Sequence, residues 1–202
     1  MILLLALVGA VLVALPLGGK LGRLAHLRLK LGWVMILALA LQFYATYFPA
    51  ARGTIEFQMG GALLIGSYVL LLVAVWCNRG LRGMRIVGLG LLMNLLVIVA
   101  NGGYMPMSPE ALAQVGIKTV SRGAEIGARI VNSKDILLTP VDTRLWFLSD
   151  VFVVPRPWPV RFAFSAGDIL IALGGFVLVL AGMGVDAISR LSRPARACVS
   201  RP

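Results

Sequence analysis

The chain has 202 residues, 59% of them apolar and only 13% charged, with a mean hydropathy of +0.93. Soluble globular domains carry about 25% charged residues, so 19 Lys and Arg with eight Asp and Glu are too few for a water-facing surface. A disordered chain is excluded, a soluble domain disfavoured, and one integral membrane domain over residues 1–202 is the expected class.

Five apolar stretches follow in chain order, over about 1–19, 31–49, 60–77, 86–101 and 166–185. Each approaches the ~20 residues that a helix needs to cross a ~30 Å hydrocarbon core, and the fourth is short and needs its flanks. None alternates with period 2, which excludes a barrel. The expected fold is therefore an all-α transmembrane five-helix bundle. The first stretch is uncharged and is followed, not preceded, by Lys20, Arg23, Arg28 and Lys30, the order of a retained helix and not of a signal peptide.

Basic residues in the short loops set the expected orientation. Segment 20–30, Arg79, Arg82 and Arg85, and the tail residues Arg190, Arg193, Arg196 and Arg201 fall on one side with a single acid, Asp186. The remaining basic residues and acids nearly cancel on the other side. The N-terminus is thus expected outside and the C-terminus in the cytoplasm of a bacterial inner membrane, multi-pass. The net charge of +11 reads as a topology signal and attraction to anionic lipid, with no nucleic-acid partner. Cys77, Cys198 and the single His26 all fall on the cytoplasmic side. They are too few for a disulfide framework or a multi-histidine metal centre, and neither metal nor cofactor is expected.

Residues 102–165 are the one long connection, expected as a partly irregular outer cap. Ser108-Pro109-Glu110 predicts a short helix over about 109–115, ending near Gly116. Segment 117–138 gives no assignment. Leu145-Trp146-Phe147-Leu148 has the bulk expected at headgroup level. Val151–Val154 and Val160–Phe164 are short β-type runs around Pro155, Pro157 and Pro159, fit for a small hairpin. Within the helices, Ala62 with Gly66, and Gly174, Gly175, Gly182 and Gly184, are helix-packing signals.

Polar groups at membrane level are costly and so invite functional readings. Asn94 and Gln42 are read as hydrogen-bonding a neighbouring helix. Asn101-Gly102-Gly103-Tyr104-Met105-Pro106 is either a helix stop or a turn presenting Asn101 to an outer pocket. Asp150 and Asp168 are the candidate catalytic pair, two carboxylates able to share a proton around a water, with Asn101 and Ser165 as supporting residues. The plainer alternative makes Asp168 the third residue of a capping box opened by Ser165, and Asp150 a loop carboxylate paired with Arg144, Arg156 or Arg161.

The Asn101–Pro106 turn, Phe147-Leu148-Ser149-Asp150 and Ser165-Ala166-Gly167-Asp168 resemble the NGGxMP, FLxD and SxGD steps of an uncharacterised family of small bacterial polytopic membrane proteins. That resemblance implies a location and no activity. A more distant resemblance is to lipoprotein signal peptidases, membrane aspartyl proteases whose C-terminal half carries one catalytic aspartate before the last helix and another at its mouth. Asp150 and Asp168 match these in order and approximate spacing. Ser165 and Gly167 depart from the peptidases' Asn-x-Ala-Asp motif, and their Asn-x-x-Asp-Arg motif has no counterpart.

Two functional readings stay open. One is an aspartyl hydrolase acting on a membrane-anchored or lipidated substrate. The other is a non-enzymatic structural, accessory or transport-related component that docks a protein partner or lipid through its outer segment.

Overall fold

The computed structural model describes residues 1–47, 53–116, 125–130, 132–154 and 161–185. Among these the fold is mostly helical, with α1 (Ile2–Ala14), α2 (Leu21–Ala25), α3 (Gly32–Tyr47), α4 (Ile55–Cys77), α5 (Met84–Ala100), α6 (Pro109–Val115) and α7 (Ala166–Gly182). The expectation of an all-α chain needs correction. Strands β1 (Met105–Met107) and β2 (Asp135–Leu137) pair in parallel, and β3 (Phe152–Val153) pairs antiparallel with β4 (Ala163–Phe164). The β3–β4 pair joins the two predicted β-type runs. Its proline-rich turn lies outside the described residues, as do Asp186 and the basic tail with Cys198.

Among the described residues only α4, at 23 residues, is by itself long and apolar enough to cross a membrane; α1, α3, α5 and α7 are shorter apolar helices. The 13 residues of α1 reach only about 20 Å. Helix α4 starts earlier than its apolar run suggests. Thr54 accepts a hydrogen bond from the Phe57 amide, and Glu56 sits in the first turn where the helix dipole favours an acid.

The long helices pack in the order α3, α4, α5, α7, α1, a row and not the sequence order. Backbone contact sets the spacing on both sides of α5. Against α7, a Cβ on Gly90 would come within 2.5 Å of the Gly167 carbonyl oxygen, and one on Gly174 within 2.7 Å of the Gly83 carbonyl oxygen. Against α4, Gly103 sits at φ +99° with its Cβ direction aimed 2.6 Å from the Gly61 Cα. The helices meet through these glycines, whereas Gly66 faces open space. The Ala62–Gly66 pair is therefore not a packing seam.

Much of the row's surface is apolar and uncovered. On α3, Trp33, Ile36 and Phe43 are 68%, 70% and 61% exposed, and Ile55 and Trp76 at the two ends of α4 are equally open. The cap has its own small core of Met107, Ala111, Leu112, Ile130 and Leu137. Helix α6 forms where Ser108 accepts the Ala111 amide and Pro109 opens the first turn, and it stops at Gly116 in the left-handed conformation.

Adding a methyl group at Gly167 tests the backbone contact, because its Cβ would collide with the Asn94 Oδ1 and the Gly90 carbonyl. Gly167→Ala should destabilise by about 1–3 kcal/mol and lower the melting temperature in detergent. Gly66→Ala, with no atom within 4 Å of its new Cβ, should not.

Candidate functional site

Helix α7 begins far down the side of α5. Its first turn packs at Gly90 and Asn94, and Asn94 lies six residues, about 9 Å, before the end of α5. The cap must descend into the space beside the last turns of α5 to reach that start. Its chain passes through a polar cluster on the way.

Asp168 is fixed first by its own helix. Ser165 Oγ accepts the Asp168 amide at 3.0 Å, and the Ser165 amide donates to Asp168 Oδ2 at 3.4 Å, a complete capping box. Asn94 then ties this turn to α5. Its Nδ2 donates to Asp168 Oδ1 at 2.7 Å, and its Oδ1 accepts from Ser165 Oγ at 2.9 Å. Asn94 and Ser165 are both fully buried, so each amide and hydroxyl group needs these partners.

Asp150 arrives from the cap. The 3-10 turn Trp146–Leu148 ends at Ser149, and the Asp150 amide donates to the Pro106 carbonyl, which hangs Asp150 on β1. Its carboxylate is buried, with side-chain exposure of 3%. Lys134, which sequence reasoning missed, stands between the two aspartates. Its Nζ is 3.8 Å from Asp150 Oδ2 and 3.5 Å from Asp168 Oδ2. The neighbouring β1–β2 ladder positions it, the Met105 amide donating to the Lys134 carbonyl. Tyr68 of α4 is buried beside the same charges.

Asp135, the first residue of β2, adds a second buried carboxyl, whose charge acts on that of Asp150. One oxygen on each, Asp135 Oδ1 and Asp150 Oδ1, is buried without a hydrogen-bond partner among the described residues. Neighbouring buried carboxyls bear one charge more readily than two. Burial pushes the Asp150 carboxyl well above its ordinary value of 3.8; Lys134 opposes this, and Asp135 and Asp168 reinforce it. Burial raises Asp135 in the same way, against the pull of Lys134 and the Ser133 hydroxyl. For Lys134, burial favours the neutral amine, but Asp150, Tyr68, Asp168 and Asp135 outweigh it and hold the ammonium charged. Asp150 is therefore raised by Asp135 ahead of Asp168, and Lys134 stands between Asp150 and Asp168.

Asn101 does not join the cluster. As the residue closing α5, it donates from Nδ2 to the Val97 and Arg144 carbonyls and accepts the Arg144 amide on Oδ1. It clips the 139–145 loop to the helix end. The turn after it, Gly102 at φ +76° and Gly103 at φ +99°, is a helix stop. Asn78 does the same for α4, exchanging two hydrogen bonds with the Lys30 backbone. Arg129 braces the cap from the other side, donating to the Ala45 carbonyl at the end of α3 and lying 4.7 Å over the Tyr104 ring. Among the described residues, no group of His, Cys, Asp or Glu is arranged to hold a metal ion.

Residues 26–180 match the family of unknown function DUF5317, and the chain belongs to it. It is also 26% identical over 111 residues to an uncharacterized protein of Thermotoga maritima, covering 55% of this chain and 58% of that relative. The chain thus matches less than two thirds of the relative's length. No solved structure matches it.

The raised Asp150 carboxyl carries a sign. A group that holds its proton more tightly when folded contributes stability that is complete below its unfolded value and lost as pH rises through the folded one. Asp150→Asn removes that contribution. The melting temperature of wild type relative to the variant should therefore fall as pH is raised above 3.8. A difference that stays flat, or moves in favour of wild type, contradicts the assignment.

Proposed function

We propose that the chain is a multi-pass inner-membrane protein of the non-enzymatic class, with its outer segment serving as a docking cap on the helix row. In this reading the five apolar helices lie in the bilayer. Helix α4 crosses outright, the shorter ones are completed by their flanks, and the open apolar faces of α3 and α4 meet lipid.

The observation that carries the non-enzymatic reading is the placement of Lys134. Its ammonium lies within 4 Å of both Asp150 and Asp168. A carboxylate dyad that activates water needs its two carboxyls to share a proton, and here a cation sits between them. Asp168 also spends both oxygens on Asn94, Ser165 and Lys134. These contacts support an anchoring role for the pair, which fixes the cap to α5 and α7. The cap then presents Val141, Trp146, Phe147 and Phe152, all exposed apolar side chains, to a partner or to the lipid headgroups.

The hydrolase reading keeps one specific support, the electrostatic coupling of the buried Asp150 and Asp135 carboxyls and their two buried oxygens without hydrogen-bond partners. In that version Asp135 joins Asp150 as the proton-sharing pair and Asp168 orients Lys134.

Two experiments bear on these proposals. A reporter fused near Glu125 should signal from outside and one at the C-terminus from the cytoplasm; either result reversed overturns the topology. In a deletion strain with a measurable defect, Asp150→Asn, compared at equal protein level, should complement. A hydrolase predicts loss of complementation by Asp150→Asn at unchanged protein level, which would overturn the docking reading.

A further inference from the structure

A groove of about 530 Å³ runs between α4 and α5 at the end opposite the cap. Its walls are Leu72 and Val75 on α4 and Leu89 and Leu92 on α5, with Arg79 and Arg85 at its mouth. Gly88 lines the α5 wall, and a Cβ there would come within 3.1 Å of Val75 Cγ1. The exposed Trp76 ring carries the Arg79 guanidinium 4.5 Å above its centroid, while an Arg79 guanidinium nitrogen donates to the Trp76 carbonyl at 3.1 Å. That pairing holds Arg79 against Trp76 beside the groove that both line.

We infer that this groove is a binding site for an anionic phospholipid, with an acyl chain against the leucines and the headgroup phosphate between Arg79 and Arg85. The inference rests on the membrane-embedded reading above and adds to it a particular lipid and a particular place. Charge complementarity selects the occupant. A neighbouring apolar helix would leave two guanidiniums at its end without an anion, and a zwitterionic headgroup would bring its own cation toward them. A phosphate diester with no amine satisfies both, and guanidinium forks suit phosphate oxygens. Basic pockets between helices on the positively charged side of a membrane protein are suited to such headgroups. Trp76 fits the same level, its amphipathic ring carrying the Arg79 guanidinium.

The test uses the full chain purified in detergent, titrated with equal amounts of phosphatidylglycerol and phosphatidylcholine and read by native mass spectrometry. Wild type should retain phosphatidylglycerol with about tenfold or greater preference, the effect of two arginines at a surface phosphate. Arg79→Gln with Arg85→Gln should lose that preference at unchanged melting temperature. Gly88→Leu, which fills the groove, should reduce retention of the lipid while leaving both arginines in place. Glycerol phosphate, the headgroup without chains, should not displace it. Equal retention of the two lipids by wild type overturns the proposal. So does preference surviving in the arginine variant, or displacement by glycerol phosphate, which would assign the site to a soluble phosphate. A dimer that Gly88→Leu abolishes, with no lipid preference, would give the groove to a second copy of the chain. Carbonate extraction of native membranes separates the two levels. A chain released by carbonate refutes the membrane reading itself, whereas a chain retained without lipid preference refutes only this site.

Discussion

An ammonium group taken out of water must be met by anions and acceptors from several directions, or the fold loses more by burying it than it gains. Lys134 meets that condition only where three parts of the chain converge. Asp168 comes from the first turn of α7, Asp150 from the end of the 3-10 turn, and Asp135 from the next residue, where β2 begins. Each of those acids is in turn placed by something else. The capping box and Asn94 hold Asp168, the Pro106 carbonyl holds the Asp150 backbone, and the parallel β1–β2 pairing holds Lys134 and Asp135. Removing the lysine would leave these carboxyls near one another with no cation between them.

The descent of the cap beside α5 depends on a second constraint, the absence of side chains at the helix crossings. Asn94 reaches both Ser165 and Asp168 because Gly90 and Gly167 let the two backbones touch one turn away. Polar backbone between packed helices is tolerated where its groups find partners. The small sheets supply them here: the Met105, Ile130 and Leu137 amides all find carbonyl partners. At the helix ends, Asn78 and Asn101 each borrow the pairing geometry of a β-bridge, offering an amide N–H and a C=O to one distant residue. Loops on both ends of the row are thus clipped by the same device.

Signals that act within a few residues were legible in the sequence. The Ser108-Pro109-Glu110 start of α6, the Ser165–Asp168 capping box and the Asn101–Gly103 stop all operate through local backbone geometry, and each formed where it was read. The use of Asn94 between helices was legible because an amide in an apolar helix has few other outlets. Lys134 and Asp135 were not. They lie in a stretch whose glycines and mixed charge have no period, and β2 exists only because β1, some 30 residues earlier, offers it an edge. Asp150 was expected to face Asp168, but no local rule reveals that a lysine from a distant strand stands between them. The Ala62–Gly66 spacing misled for a related reason. A small-residue pair permits close approach, but which glycine meets a neighbour depends on the rotation of the helix, and Gly60 and Gly61 are the ones turned inward.

The central claim is that Lys134 and Asp168 act together to seat the cap. A double-mutant cycle on melting free energy in detergent, with Lys134→Met, Asp168→Asn and the pair, measures this directly. The pair is partly buried, with side-chain exposures of 24% and 20%, so each single change should cost about 1–3 kcal/mol, less than a fully buried pair, and the double change no more than the larger single. The interaction term should then exceed about 0.5 kcal/mol, the lower bound for residues sharing one network. Single effects that simply add would contradict the account, because the ammonium would then be seated without the carboxylate of α7.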